Sequence, residues 1–436
     1  MIGLFPHCGF LSETSRMLAI HDALRALGEP VCIGTHGGPW ETLLRRPDLD
    51  VTQIGPQMDA ARCARFVQAL PGLGPPDQSM YTDDEMLVYA RAEAAFMRQR
   101  GIRLAVTGFT LTTLLSTRLA GIPLAASHAG SFVPPVFEAG RLPAPARNPQ
   151  PIFAVLPRAV RQWMVNAMPS RSRMYCAGFN RAAQALGVEG VPSFAALLLA
   201  DLTLVTDLPE LLGIDRERVD NWSPRARSGY RAGTSLRYTG PLFAKLDVPL
   251  SERVERFVNA QGALAYVALT SSPPDLVRDV VAAVKAAGCR VLVAGTVHAL
   301  ADLESTSVMV EPLLPSHVLM PRAAVAVVTG GQGSVQTAMA SGVPMVGIPL
   351  QPEQDLNVES AVRQGMAIRL SPARARGRAM TGAVRTLLQD TAYHARAARV
   401  RALVEPIDGA TGAAMAIRRY LAERSSINAP AARVVA

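Results

Sequence analysis

The chain has 436 residues, 49% hydrophobic and 18% charged, enough apolar material for two substantial cores and too much for an intrinsically disordered protein. Its formal charge of +9 is carried almost wholly by arginine, with lysine only at Lys245 and Lys285. No nucleic-acid-binding module accompanies that charge, so nucleic acid is not an expected partner.

The five cysteines, Cys8, Cys32, Cys63, Cys176 and Cys289, are scattered and lack C-x-x-C spacing. They predict free thiols in a reducing cytosol and argue against a disulfide framework or a zinc site. The N-terminus MIGLFPHCGF has no charged leader region and reads directly as a first strand, so no signal peptide is expected. The apolar stretch Ala195 to Ile214 is broken by Asp201, Asp207 and Glu210, which excludes it as a membrane span. The expected localisation is cytoplasmic.

Strand and helix patterns alternate from the start. Ile2 to Phe5, Val31 to Gly34, Val51 to Ile54, Leu104 to Thr107 and Leu124 to Ala126 read as short buried strands, with helices over Ser12 to Leu27 and Asp83 to Gln99 between them. The proline- and arginine-rich segment Arg141 to Arg173 interrupts this rhythm. Within it, Ile152 to Met168 mixes Phe153, Val155, Trp163 and Met164 with Arg158 and Arg161. It reads as an amphipathic surface helix with an arginine face, or alternatively as a patch for an acceptor or a membrane surface.

After Tyr238-Thr239-Gly240-Pro241 the pattern relaxes into a short connection and then restarts. Leu264 to Ala268, Val291 to Ala294, Val308 to Val310, Ala324 to Val328 and Met345 to Ile348 read as a second set of strands. The chain is therefore α/β, with a first domain over 1–241, a linker over 242–253, a second domain over 254–423 and a loose tail over 424–436. Ligands of such parallel sheets lie beyond the carboxyl ends of the strands, so the loops of both domains should meet in a cleft.

The most informative stretch runs from Thr329 to Leu370. An apolar strand ends at Thr329-Gly330-Gly331, and Ser334 to Ser341 carries helix formers up to Gly342. A glycine turn feeding a helix offers unpaired backbone N–H groups and a partial positive charge, which suit a phosphate or diphosphate. Neither the P-loop nor the G-x-G-x-x-G pattern is present, so the turn alone specifies no more than an anion.

The whole segment resembles the donor signature of family 1 glycosyltransferases, H-G-G-x-G-[ST]-x-x-E-A, then G-[VI]-P, then [DE]-Q-x-x-N. Gly330, Gly331, Gly333, Ser334, Ala338, Gly342, Val343, Pro344, Glu353, Gln354 and Asn357 fall on it in register. Leu314 and Ser316, in Leu314-Pro315-Ser316-His317-Val318-Leu319, resemble the segment that meets the nucleobase. The resemblance implies a GT-B fold, two Rossmann-like doubly wound parallel-sheet domains facing an interdomain cleft. It implies an inverting, metal-independent transfer of a hexose from a nucleotide sugar to a small-molecule or lipid-like acceptor, with no further cofactor. A peripheral membrane contact and a homodimer complete the expected partners. A non-catalytic nucleotide-sugar-binding protein and a GT-B epimerase are the alternatives.

By this resemblance the donor would be held by Leu314, Ser316, Thr329, Gly330, Gly331, Gln332, Gly333, Ser334 and Thr337, with Glu353 and Gln354 on sugar hydroxyls. The chain departs from the pattern at four positions. Thr329 replaces a phosphate-contacting His and Thr337 a ribose-binding Glu, which leaves both UDP- and dTDP-sugars open as donors. Phe10, in Pro6-His7-Cys8-Gly9-Phe10, stands where the family has its general base, and Gly108 where it has the orienting Asp. Replacement bases are sought where the chain leaves strands of the first domain, at His7, Glu13, His36 and His128. Glu13 also reads as an acid complementing a helix N-terminus.

Overall fold

The computed structural model describes residues 1–70, 78–144, 155–225, 229–246, 248–270, 272–295 and 300–428. In the first domain, β1 (Ile2–Phe5), β2 (Val31–Thr35), β3 (Val51–Gln53), β4 (Leu104–Thr107), β5 (Leu124–His128), β6 (Leu202–Val205) and β7 (Ser235–Tyr238) form one parallel sheet. Their order is β3-β2-β1-β4-β5-β6-β7. The second domain pairs β8 (Leu264–Ala268), β9 (Arg290–Ala294), β10 (Val308–Glu311), β11 (Val325–Val328), β12 (Met345–Gly347) and β13 (Ala367–Arg369) in the order β10-β9-β8-β11-β12-β13, again all parallel. Central strands such as β8 and β11 are buried along their whole length. Helices cover both faces, which is why these strands read as unbroken apolar runs.

Each sheet reverses its winding at one place, between β1 and β4 in the first domain and between β8 and β11 in the second. The carboxyl ends of these strands carry His7 to Phe10, Gly108 and Thr329 to Gly333. Topology alone therefore gathers the residues that the sequence singled out.

Three strands, β6, β7 and β13, lie beyond those expected from the sequence. The run Leu202–Val205 lies within the apolar stretch Ala195 to Ile214, between Asp201 and Asp207. The tail also differs from expectation. A helix spans Gly409–Asn428, so residues 424–428 are helical, while 429–436 lie outside the described residues. This helix packs onto the first domain: Ala413, Ala414 and Ile417 share a core with Ile2, Leu4, Ile20 and Leu24, and Arg418 pairs with Glu29 at 3.2 Å. The chain thus crosses back from the second domain, and its last helix buries apolar residues against β1 and the helix Leu11–Ala26 of the first.

In the arginine-rich segment a helix runs over Arg158–Arg171, with Pro157 as its N-cap residue. Phe153 lies outside the described residues. The helix docks through Asn166, whose amide bonds both backbone groups of Leu142 at 3.0 Å. Val160, Trp163 and Met168 are turned outwards, Trp163 with 64% of its surface exposed. No helix of the described residues is long and apolar enough to cross a membrane.

Candidate active site

On the second-domain side, Gly330 has φ +99°, a left-handed conformation that disfavours any side chain. A Cβ there would lie 2.6 Å from the Gln354 carbonyl oxygen, and Asn357 fastens the turn by donating to the Gly330 carbonyl at 3.0 Å. The following helix, Gln332–Ser341, starts two residues earlier than the helix formers suggested. It has Gly331 as its N-cap and no side-chain cap. A Cβ on Gly331 would meet nothing within 4 Å, and one on Gly333 would meet only the Ser12 Cβ, at 4.0 Å. The first turn of this helix therefore faces open space and, across the cleft, the first turn of helix Leu11–Ala26.

The turn brings together Thr329, Gly330, Gly331, Gln332, Gly333, Ser334 and Thr337. The Thr337 hydroxyl donates to the Gly333 carbonyl at 2.7 Å, so its proton is spent within its own helix. Glu353 accepts from Asn357 at 3.1 Å and from the Gln332 backbone N–H. Its surface is open to the cleft, yet protein surrounds it on the remaining sides. The desolvation this imposes raises its pKa, against the lowering effects of Asn357, Arg16 and Gln332. Gln354 is buried and its amide oxygen accepts from the Leu350 N–H at 2.9 Å, so the two members of the pair stand in different surroundings. Leu314 is a core residue, and the Ser316 hydroxyl shares a hydrogen bond with the Tyr266 hydroxyl at 2.7 Å.

The first-domain side departs further from expectation. Phe10 is the N-cap of helix Leu11–Ala26 and gives it no side-chain cap. His7 lies in a ring cluster, with its centroid 4.4 Å from that of Phe66 and 5.0 Å from that of Phe10. Its Nδ1 accepts from the Gly9 N–H at 3.2 Å, while Nε2 is buried with no hydrogen-bond partner among the described residues. Burial pushes its pKa from the usual 6.5 down to about 3, so the ring is neutral and weakly basic. His128 is likewise pushed by burial down to about 4, with Nε2 3.3 Å from the Phe132 carbonyl.

His36 does not face the cleft chemistry at all. Its Nδ1 lies 3.0 Å from the Ile54 carbonyl and its Nε2 2.9 Å from Glu93. Glu93 is fully buried and also accepts from Thr112 and Ser116. This is a core network in which a buried carboxylate has several donors. His36 is therefore better placed to hold the fold together than to take a proton from an acceptor.

Glu13 occupies a place that another residue leaves free. A Cβ on Gly108 would lie 2.0 Å from the Glu13 Oε2, so the missing side chain at 108 is what admits this buried carboxylate. Its Oε1 accepts from the Phe109 N–H at 3.0 Å, and its Oε2 from Arg16 at 2.9 Å. The two departures at Phe10 and Gly108 thus belong to a rearranged site with its own internal contacts.

Sequence reading missed Arg16 and Asp207. Arg16 Nη1 donates to the Gln332 side-chain oxygen at 2.8 Å, across the domain boundary. Gln332 in turn donates to the Thr206 hydroxyl at 2.9 Å and to Asp207 at 3.3 Å, and Gln336 also donates to Asp207. The Gly130 N–H adds a bond to Asp207 at 2.7 Å. Burial nevertheless pushes the Asp207 carboxyl up to about 6. The signal that could have found it is its place directly after an apolar run, where ligand-facing residues of a parallel sheet lie.

Comparison with known proteins agrees with this picture. The profile of the family described as "UDP-glucoronosyl and UDP-glucosyl transferase" matches residues 231–411. The chain is 24% identical over 338 residues to a PGL/p-HBAD biosynthesis glycosyltransferase of Mycobacterium tuberculosis, covering 73% of this chain and 71% of that protein. Among solved structures, the glycotransferase of kitacinnamycin superposes with a TM-score of 0.65 at 19% identity, over 96% of this chain and 98% of the other. The glycosyltransferase VinC in complex with DTDP superposes with a TM-score of 0.64 at 14% identity, over 97% of this chain and 100% of the other. Both structural likenesses bear on the fold, which is GT-B.

Proposed function

We propose that the chain is a family 1-like glycosyltransferase that moves a hexose from a UDP- or dTDP-sugar to a small natural-product acceptor, inverting the anomeric centre without a metal. The observation that carries this reading is the helix start at Gly331–Gly333, whose N-cap glycine offers no side chain and whose glycines leave open space towards the first domain. Its N–H groups and dipole supply positive potential for a leaving diphosphate. Glu353, open to the cleft beside this turn, is placed to accept from sugar hydroxyls. In VinC the comparable fold is occupied by DTDP, which supports a thymidine nucleotide alongside a uridine one.

The transfer is a single displacement: the acceptor oxygen attacks the anomeric carbon while the bond from that carbon to the diphosphate breaks, and the nucleoside diphosphate leaves with the electron pair. Inversion follows from attack opposite the leaving group. His7 and His128 are held neutral and weakly basic, while His36 and Glu13 are engaged by Glu93 and Arg16. That arrangement favours an acceptor whose attacking oxygen ionises readily, such as a phenol, enol or carboxylic acid. The outward Val160, Trp163 and Met168 among Arg158 and Arg171 further suit a lipid-like acceptor or contact with a membrane surface.

The test is to incubate the full chain with UDP- and dTDP-sugars and a panel of phenolic, carboxylic and aliphatic-alcohol acceptors. Glycosylated product with inverted anomeric configuration, unaffected by chelator, is expected from one donor class. Absence of binding to either nucleotide would overturn the reading.

A further inference from the structure

We infer that Arg16 supplies the positive charge that meets the donor diphosphate, delivered from the first domain to a turn that has no cation of its own. This rests on the nucleotide-sugar reading of the turn. From Thr329 to Thr337 the turn and the first part of its helix contain no basic residue, while the carboxylates of Asp207 and Glu353 lie against Gln332. An incoming diphosphate adds negative charge, and its breaking bond adds more as the transition state forms. Helix dipole and N–H groups offset part of this repulsion, and a nearby cation adds a second, stronger term.

Arg16 is positioned for that task by three contacts. Its Nη1 reaches Gln332, the first residue of that helix, at 2.8 Å. Its Nη2 is held by Glu13 at 2.9 Å, and Glu13 is itself fixed by the Phe109 N–H in the space left by Gly108. The remaining Nε is buried and has no hydrogen-bond partner among the described residues. A guanidinium has five N–H donors in a rigid fork, so the bonds to Gln332 and Glu13 leave donors for a phosphoryl oxygen. Arg16 also acts at a distance on both Glu353 and His128, lowering the pKa of each. Its charge is thus felt on both walls of the cleft.

Because Arg16 belongs to the acceptor domain and the turn to the donor domain, the charge meets the diphosphate only when the two halves stand in the arrangement described. Arg16 then acts as a catalytic residue through the leaving group, and Glu13 as a positioning residue through Arg16. The interaction strengthens as charge develops, so its loss falls on kcat as well as on donor binding.

The experiment compares the full-length wild type with Arg16→Met, Arg16→Lys and Glu13→Gln by transfer kinetics and by calorimetric titration with UDP and dTDP, and with uridine and thymidine as uncharged controls. Arg16→Met is expected to weaken diphosphate binding on the order of 10- to 100-fold and to leave nucleoside binding unchanged. Arg16→Lys should recover part of the loss, and Glu13→Gln should show a smaller loss of the same kind. Melting curves of each variant separate unfolding from lost binding, and Arg16→Lys keeps the test informative if Arg16→Met melts early. Wild-type diphosphate affinity and kcat in a folded Arg16→Met variant would overturn the role of Arg16 alone. A wild type that binds neither diphosphate would overturn the reading of the turn, and this inference with it.

Discussion

The two walls of the cleft are built alike and have diverged unequally. Each is the carboxyl edge of a parallel sheet at its switch point, followed by a helix without a side-chain cap. On the second-domain wall the proposed site is a backbone turn, constrained at Gly330 by its positive φ and the close Gln354 carbonyl, and it remains legible. On the first-domain wall side chains do the work, and one set can replace another provided the space is refilled. Glu13 in the space beside Gly108 is such a replacement. A backbone site constrains its residues by geometry, whereas a side-chain site constrains only the sum of volume, charge and hydrogen bonds.

The largest expected effect tests the backbone wall. Gly330→Ala puts a Cβ against the Gln354 carbonyl at a φ of +99°, and turnover should fall by roughly 100-fold or more because the turn must shift. Near-normal donor affinity and turnover would break the contrast. Next, Glu93→Ala leaves His36, Thr112 and Ser116 facing an empty buried site. Urea titration should show a loss of about 3–5 kcal/mol, with donor KM little changed in the folded fraction. A selective loss of kcat without destabilisation would return His36 to the list of bases.

Gly108→Ala sharpens the comparison on the side-chain wall. The clash with Glu13 should cost about 1–3 kcal/mol, and in a double-mutant cycle Glu13→Ala should relieve most of it. Additive effects would mean that the two positions are independent.

The pH dependence of stability supplies the smaller effects. The Asp207 pKa is raised from the usual 3.8 to about 6, so the fold favours its protonated form. That contribution is fully present below about pH 4 and is lost as pH rises through 6, a change of up to about 3 kcal/mol. Asp207→Asn should therefore flatten the fall in melting temperature between pH 4 and pH 7. His7 runs the other way: its pKa is depressed to about 3, so its contribution is present above pH 6.5 and is lost as pH falls. His7→Phe should reduce acid sensitivity between pH 6 and pH 4 while changing transfer by less than about threefold; a much larger loss of transfer would make His7 part of the chemistry.

Much of this molecule is determined by its sequence alone. Apolar runs and glycine turns are local signals, so the strands Leu264–Ala268 and Leu104–Thr107 and the helix Asp83–Gln99 have the bounds that their residues predict. The turn from Thr329 to Ser334 is equally legible as a pattern of neighbouring residues, although Gln354 and Asn357 are what hold Gly330 in its conformation. Tertiary structure decided the rest. The return of Gly409–Asn428 to the first domain, the placing of Glu13 beside Gly108 and the reach of Arg16 to Gln332 each join residues far apart in the chain. Their energies arise from burial and charge in a shared space, and that space exists only once both sheets have formed and met.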